Sequence, residues 1–186
     1  MSTTLDTPHV DAPQTLPVGA WTVDPVHSQV GFAVAYHVGT FRGSFAPVTA
    51  TLEVGEDGEA KLTGSAAVSG VKVQDENLSA HLQSPEFFDA ERTPDISFVS
   101  TAIRPSGEEL EIEGELTIKG ATLPVTARGR VGEQQRYMER PYFGLELQAM
   151  IERSRFGLNW NNPLPNGDPA LANEVTVTAE LFLTRA

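Results

Sequence analysis

A chain of 186 residues with a formal charge of −12 and no cysteine is long enough for one sizeable hydrophobic core and shows no composition break that would divide it in two. The acidic balance argues against nucleic acid or an anionic membrane surface as a partner, because both repel it. Without cysteine there is no disulfide, thiolate metal site or cysteine nucleophile, and no stretch approaches the roughly 20 apolar residues that span a bilayer.

Residues 1–16 (MSTTLDTPHVDAPQTL) are dominated by Thr, Pro and Asp, with no early Lys or Arg and no apolar run. They read as a disordered tail rather than a secretory or transit peptide, which points to the cytoplasm and to a folded domain over residues 17–186. Residues 18–23 and 28–36 read as the first two strands. In the second, Val30, Phe32, Val34 and Tyr36 alternate with Gln29, Gly31, Ala33 and Ala35, the period of a strand with one buried face. The segment 37–43 (HVGTFRG) is expected to be a turn or short helical crossover. Residues 48–54 alternate again, GEDG at 55–58 signals a hairpin, and one strand is expected over about 60–73, with Leu62, Gly64, Ala66 and Val68 on one side.

Between 75 and 93 the period changes. Leu78, His81 and Leu82 have helical spacing behind Asp75 as cap, and Ser84-Pro85-Glu86 carries the marks of a second helix start. Phe87 and Phe88 follow, so two short helical turns are expected to pack across an end or flank of the sheet. Strands resume at 95–104 and at 109–118, where Leu110, Ile112, Gly114, Leu116 and Ile118 alternate with glutamates. After a turn at Lys119-Gly120, residues 123–131 place Arg128 and Arg130 opposite those glutamates on an adjacent antiparallel strand. A polar excursion (133–141), an inward row from Phe143 to Ile151, an irregular Asn-, Pro- and Gly-rich stretch (156–173) and a last row from Val175 to Leu183 complete the chain. About eight or nine strands with short links and little helix predict an all-β antiparallel barrel or sandwich. Closure removes exposed edges, which favours the barrel.

Small residues interrupt nearly every inward row: Ala50, Gly64 and Ala66, Gly114, Ala127 and Gly129, Ala149, Ala179. A barrel of about eight strands either fills with side chains or holds one ligand. Small residues leave an apolar hollow in the second case; in the first they fit the taper or admit a packed helix.

Chemistry is sparse. His27, His37 and His81 raise a metal site, but a catalytic metal needs three protein ligands and no carboxylate or cysteine sits at ligand spacing beside them. Ser28 next to His27 is no catalytic pair, because strand neighbours point to opposite faces. Ser84 reads as a cap, the glutamates as a solvated face, and no Gly-rich phosphate loop is present. No catalytic residue, metal or cofactor is expected. The loop at 156–171 keeps Phe156, Leu158, Trp160, Leu164 and Leu171 among Asn and Pro, so it folds over the barrel, guards an opening, or packs a cluster of its own.

Four motifs in order carry a resemblance. They are W-x-x-D-x-x-H-S-x-V-x-F-x-V-x-x-H from Trp21 to His37; His81-Leu82 before Ser84 to Asp89, with Pro94 and Phe98; GELTIKGATLPV at 114–125; and RSRFGLNW at 153–160. Together they resemble the YceI-like family of polyisoprenoid-binding proteins over nearly the whole ordered chain. The resemblance implies a lipocalin-like extended barrel, often dimeric, that holds a long-chain isoprenoid or related amphiphile without catalysis. Lining residues would be Val30, Phe32, Val34, Phe45, Leu62, Ala66, Leu82, Phe87, Phe88, Phe98, Leu116, Leu147, Phe156 and Trp160, with His37, Arg42, His81 and Arg155 (and Arg92) near a head group. Many relatives carry Arg-Asp before the signature histidine, where this chain has Leu78-Ser79-Ala80. A homodimer is compatible with the small outer residues Gly31, Ala33 and Ala35. The alternatives on the same fold are a histidine metal-binding protein and a filled barrel acting as an interaction or stress-response module.

Overall fold

The computed structural model describes residues 15–186. Most of the expected tail therefore lies outside the described residues; of its last two, Thr15 is exposed and Leu16 is buried in the core.

One antiparallel sheet contains β1 (Gly19–Val23), β2 (Gln29–Tyr36), β3 (Gly39–Phe45), β4 (Val48–Val54), β5 (Ala60–Ala67), β6 (Val71–Lys72), β7 (Asp95–Ser106), β8 (Glu109–Ile118), β9 (Ala121–Val131), β10 (Gln135–Tyr137), β11 (Arg140–Glu152) and β12 (Leu171–Arg185). β1 and β2 follow one another along β12, β3 and β4 pair beside them, and β6 and β5 beside those. These three composite staves and β7, β8, β9, β11 and β12 make eight, in chain order, and the pairing of β12 with both β11 and β1–β2 closes the barrel. β10 is a side hairpin on β11.

The expected crossover at 37–43 is instead a strand. Tyr36 pairs with Gly39 and Val30 with Phe45, so only His37 and Val38 form the turn, with His37 at φ +49°. The two-residue turns at Lys119-Gly120 and Met138-Glu139 hold both residues at positive φ, the geometry whose twist matches the flanking strands. The long strand expected over 60–73 breaks at a 3-10 turn, Val68–Gly70. There Gly70 lies so close to the Ala46 carbonyl that a side chain would not fit. The first helix forms as its signals predict: α1 (Glu76–Gln83) is capped by Asp75, whose Oδ1 accepts from Leu78 N at 2.9 Å. The second does not. Ser84 ends α1 instead, donating through both N and Oγ to the His81 carbonyl, and successive turns follow to residue 93.

The opening motif has a mechanical explanation. Asp24 accepts from Val26 N (2.8 Å) and pairs with His27 Nδ1 (2.7 Å), fixing the bend between β1 and β2. The hydrogen bond from His27, with that from Val26, holds the Asp24 carboxyl below the usual carboxylate range. Buried Ser28 accepts from Phe182 N at 2.8 Å, satisfying a β12 donor that the bend leaves without a ladder partner. On the outer face, Arg128 pairs with Glu111, Arg130 with Glu108, and Arg104 with Glu111 and Glu113, as the facing charges predict.

Inside, one end of the barrel is solid. Trp21, Leu52, Leu110, Phe143, Leu145 and Leu183 are each at most 2% exposed. Trp21 meets Phe143 edge-on at 4.8 Å, donates Nε1–H to the Pro17 carbonyl at 2.8 Å, and is covered by Arg185 at 5.0 Å. Two of the small inward residues serve packing rather than space. Gly114 accommodates the Phe98 ring, and Gly129 lets β9 approach the Glu146 carbonyl of β11 closely.

Candidate functional site

Above that solid layer the barrel is hollow. A cavity of about 440 Å³ runs from Ala50, Leu62, Ile112, Leu147 and Leu181 up to α1 and the segment 158–160, within the range of pockets that bury a small organic ligand. The remaining small residues (Ala50, Gly64, Ala66, Ala127, Ala149 and Ala179) all face it. The two sequence alternatives therefore each hold over half the barrel: filled around Trp21, hollow towards α1.

Val30, Phe32, Val34, Phe45, Leu62, Ala66, Leu82, Phe87, Phe88, Phe98, Leu116, Leu147 and Trp160 lie along the cavity wall. Phe156 does not. It closes the 3-10 turn Arg153–Phe156 and lies buried beside an outer groove bordered by β8, β9 and β11. Of the residues expected near a head group, only His81 reaches the cavity. His37 sits on the β2–β3 turn, Arg42 is exposed on β3 between the lining row positions, and Arg155 is exposed along the outer groove.

Half-exposed Tyr36, Leu78 and His81 mark the rim. His81 Nε2 hydrogen-bonds Glu86 Oε2 at 2.6 Å, and its ring meets Phe87 and Trp160 edge-on at 5.0 and 5.2 Å. The three histidines do not converge: His27 is bound to Asp24 and lies at the opposite end of β2 from His37, roughly 30 Å away along the strand at about 3.3 Å per residue. Among the described residues no three His, Cys, Asp or Glu side chains form a group able to hold a metal ion.

The residue that sequence reasoning missed is Arg153. Its side chain is 6% exposed, lines the cavity near the rim and has no carboxylate partner among the described residues. It donates to four carbonyls instead: Ala172 from Nε (2.7 Å), Leu158 and Trp160 from Nη1 (2.6 and 2.8 Å), and Leu171 from Nη2 (3.1 Å). Burial pushes the guanidinium below its ordinary pKa, though arginine keeps its charge. The only sequence signal was its place at the head of RSRFGLNW. Asn161 adds a reciprocal pair with Leu171, so the loop is pinned across the cavity end rather than packed on itself, and Trp160 and Leu158 become wall.

A closed eight-stave antiparallel barrel with one apolar cavity belongs to the lipocalin-like class, in which such a barrel is wide enough for one small ligand. Residues 21–183 match the model of the YceI-like domain, and the chain belongs to that family. A UPF0312 protein of Staphylococcus aureus (strain USA300) is 27% identical over 164 residues, covering 86% of this chain and 94% of its own. One from Staphylococcus epidermidis is 28% identical over 167 residues, covering 84% and 92%. Among solved structures, Burkholderia cenocepacia BcnA superposes with TM-score 0.73 at 24% identity, covering 86% of this chain and 98% of its own. A polyisoprenoid-binding domain from Saccharophagus degradans, implicated in plant cell wall breakdown, superposes at 0.65 with 12% identity, covering 89% and 98%. No helix among the described residues is long and apolar enough to cross a membrane.

Proposed function

We propose that the protein binds a long-chain isoprenoid or similar amphiphile in the barrel lumen, tail towards Trp21 and head at the α1 rim, and sequesters or carries it without catalysis. The observation that carries this is the cavity itself: its wall is almost wholly apolar, and Arg153, the one Lys, Arg, Asp or Glu among the described lining residues, stands near the rim. The Saccharophagus neighbour, a polyisoprenoid-binding domain, supports the choice of ligand class. Burying a CH₂ stabilises by about 0.8 kcal/mol, so each five-carbon unit contributes roughly 3 kcal/mol before chain ordering is subtracted. The tail sets affinity. Arg153 and His81 meet the head group first, and Arg42, His37 and Arg155 act on it only through the surrounding field. Two copies associating through the outer face of β2, where Ala33 and Ala35 leave room, is compatible with this arrangement.

Organic extraction of protein purified natively from its own cells, followed by mass spectrometry, should yield a stoichiometric prenyl or comparable lipid. A blank extract that persists after incubation with prenols would remove the carrier role. Trp160 offers a second readout. Its ring lies 5.3 Å from Phe87 at the cavity wall, so geranylgeraniol should shift its emission, whereas Trp21 in the solid layer contributes a constant background. An unchanged spectrum at saturation, or an identical shift in Trp160→Phe, would count against a cargo lying beneath this loop.

A further inference from the structure

The cavity is closed at its lower end, and that closure limits what fits. Its floor is the layer of Leu52, Leu110, Phe143, Leu145 and Leu183 around Trp21; none of these lines the cavity, and each is at most 2% exposed. The floor is tied down as well as packed, through the Trp21 hydrogen bond to Pro17 and the edge contact with Phe143. A chain entering at the α1 rim therefore has no exit below.

The height of the hollow follows from the staves. Lining residues run from Val30 to Tyr36 on β2, from Ile112 to Ile118 on β8 and from Leu147 to Arg153 beyond β11. Each span is a rise of roughly 20 Å along the strand, or about 15 Å along the axis at a tilt near 40°. α1 and the turns after it stand beside this span rather than above it, since Phe88 meets Phe45, the partner of Val30, at 5.5 Å. An extended isoprene unit has four chain bonds and spans roughly 5 Å, given carbon–carbon bonds near 1.5 Å.

Resting on the isoprenoid-carrier proposal above, we infer that this barrel has a length ceiling: it encloses a chain of about three isoprene units, or an alkyl chain of equal length, and further units remain outside the rim. Ala50, directly above Leu52 in β4 and lining the cavity, is the deepest small residue of its stave and sets the last increment. The cargo class is thus a short prenyl lipid rather than the long polyprenyl chains that a through-tunnel would thread.

The test is a series of all-trans prenols with two to eight units, and n-alkanols of matching length in parallel, titrated into the full-length protein by competition with a fluorescent fatty alcohol. Affinity should rise at least about tenfold per unit to the third and by less than about threefold per unit beyond it. The alkanols should break at the same extended length, because the limit belongs to the cavity. Ala50→Leu projects into the lumen rather than into packed core and should lower the break by about one unit. A rise that continues to eight units overturns the ceiling while leaving the carrier role intact. Failure of every prenol and alkanol to bind overturns both. An Ala50→Leu protein that binds with the break unmoved shows that the floor lies elsewhere and also overturns the ceiling.

Discussion

Replacing Ala179 with phenylalanine is expected to weaken prenyl binding sharply while leaving the fold intact. Ala179 faces the lumen midway along β12, flanked by Val30 on β2 and Leu147 on β11. A phenyl ring there fills the lower lumen just above the floor, so a tail loses the deepest part of its path. Excluding one isoprene unit removes roughly 3 kcal/mol of apolar burial, and after the chain-ordering offset the loss is on the order of tenfold to a hundredfold in Kd. The ring enters space that no side chain fills, so the overpacking penalty of about 1–3 kcal/mol that attends insertion into a dense core does not apply. The melting temperature should hold or rise. Isothermal titration with farnesol or geranylgeraniol beside a thermal melt separates the two effects. Unimpaired binding in a folded Ala179→Phe protein would show that the lumen is not the site.

Arg153→Met should lower the stability of the fold markedly, although it removes no residue of the apolar core. Methionine retains much of the buried stem but takes the Arg153 donor from four carbonyls; Asn161 still serves Leu171, so Leu158 is the buried one left without a donor. Unsatisfied buried acceptors cost about 1–3 kcal/mol each, and water reaches the two that are only partly buried. A net loss of about 2–4 kcal/mol follows, or roughly 10 °C in Tm for a domain of this size. Hydrogen exchange should quicken first at Leu158 and Leu171, whose segment Arg153 pins across the cavity end. Arg153→Lys should recover little, since a single ammonium lacks the planar fork that reaches carbonyls on two chain stretches. A melt unchanged in Arg153→Met would mean that the loop is held by Asn161 and Lys119 instead, through Asn161 to Leu171 and Lys119 to Pro85 and Gly157.

Much of the barrel was legible because alternation with period two states, strand by strand, which residues face inward. β4 and β8 appear in the structure with their predicted bounds. β3 escaped because GTFRGSF offers only Phe41 and Phe45 as inward markers between two glycines; its strand character comes from pairing with β2. The second helix was misread because Ser84-Pro85-Glu86 has the chemistry of a start, yet the serine was already committed to ending α1. The expected cavity residues were legible wherever they lie on regular strands or α1. Phe156 failed because a 3-10 turn has no fixed inward parity, and Arg153 was invisible because its partners are backbone carbonyls contributed by residues 158–172.

Local alternation along each strand is enough to specify an antiparallel barrel, its inner and outer faces, and its complement of large and small inward residues. Where those inward residues meet depends instead on contacts between staves. Trp21, Leu52, Leu110, Phe143, Leu145 and Leu183 come from five different staves, and it is the register between staves that gathers them into one solid layer and leaves Ala50, Gly64, Ala66, Ala149 and Ala179 around a hollow. Height along the barrel is a relation between strands, fixed by hydrogen-bond register and stagger, and no single strand encodes it.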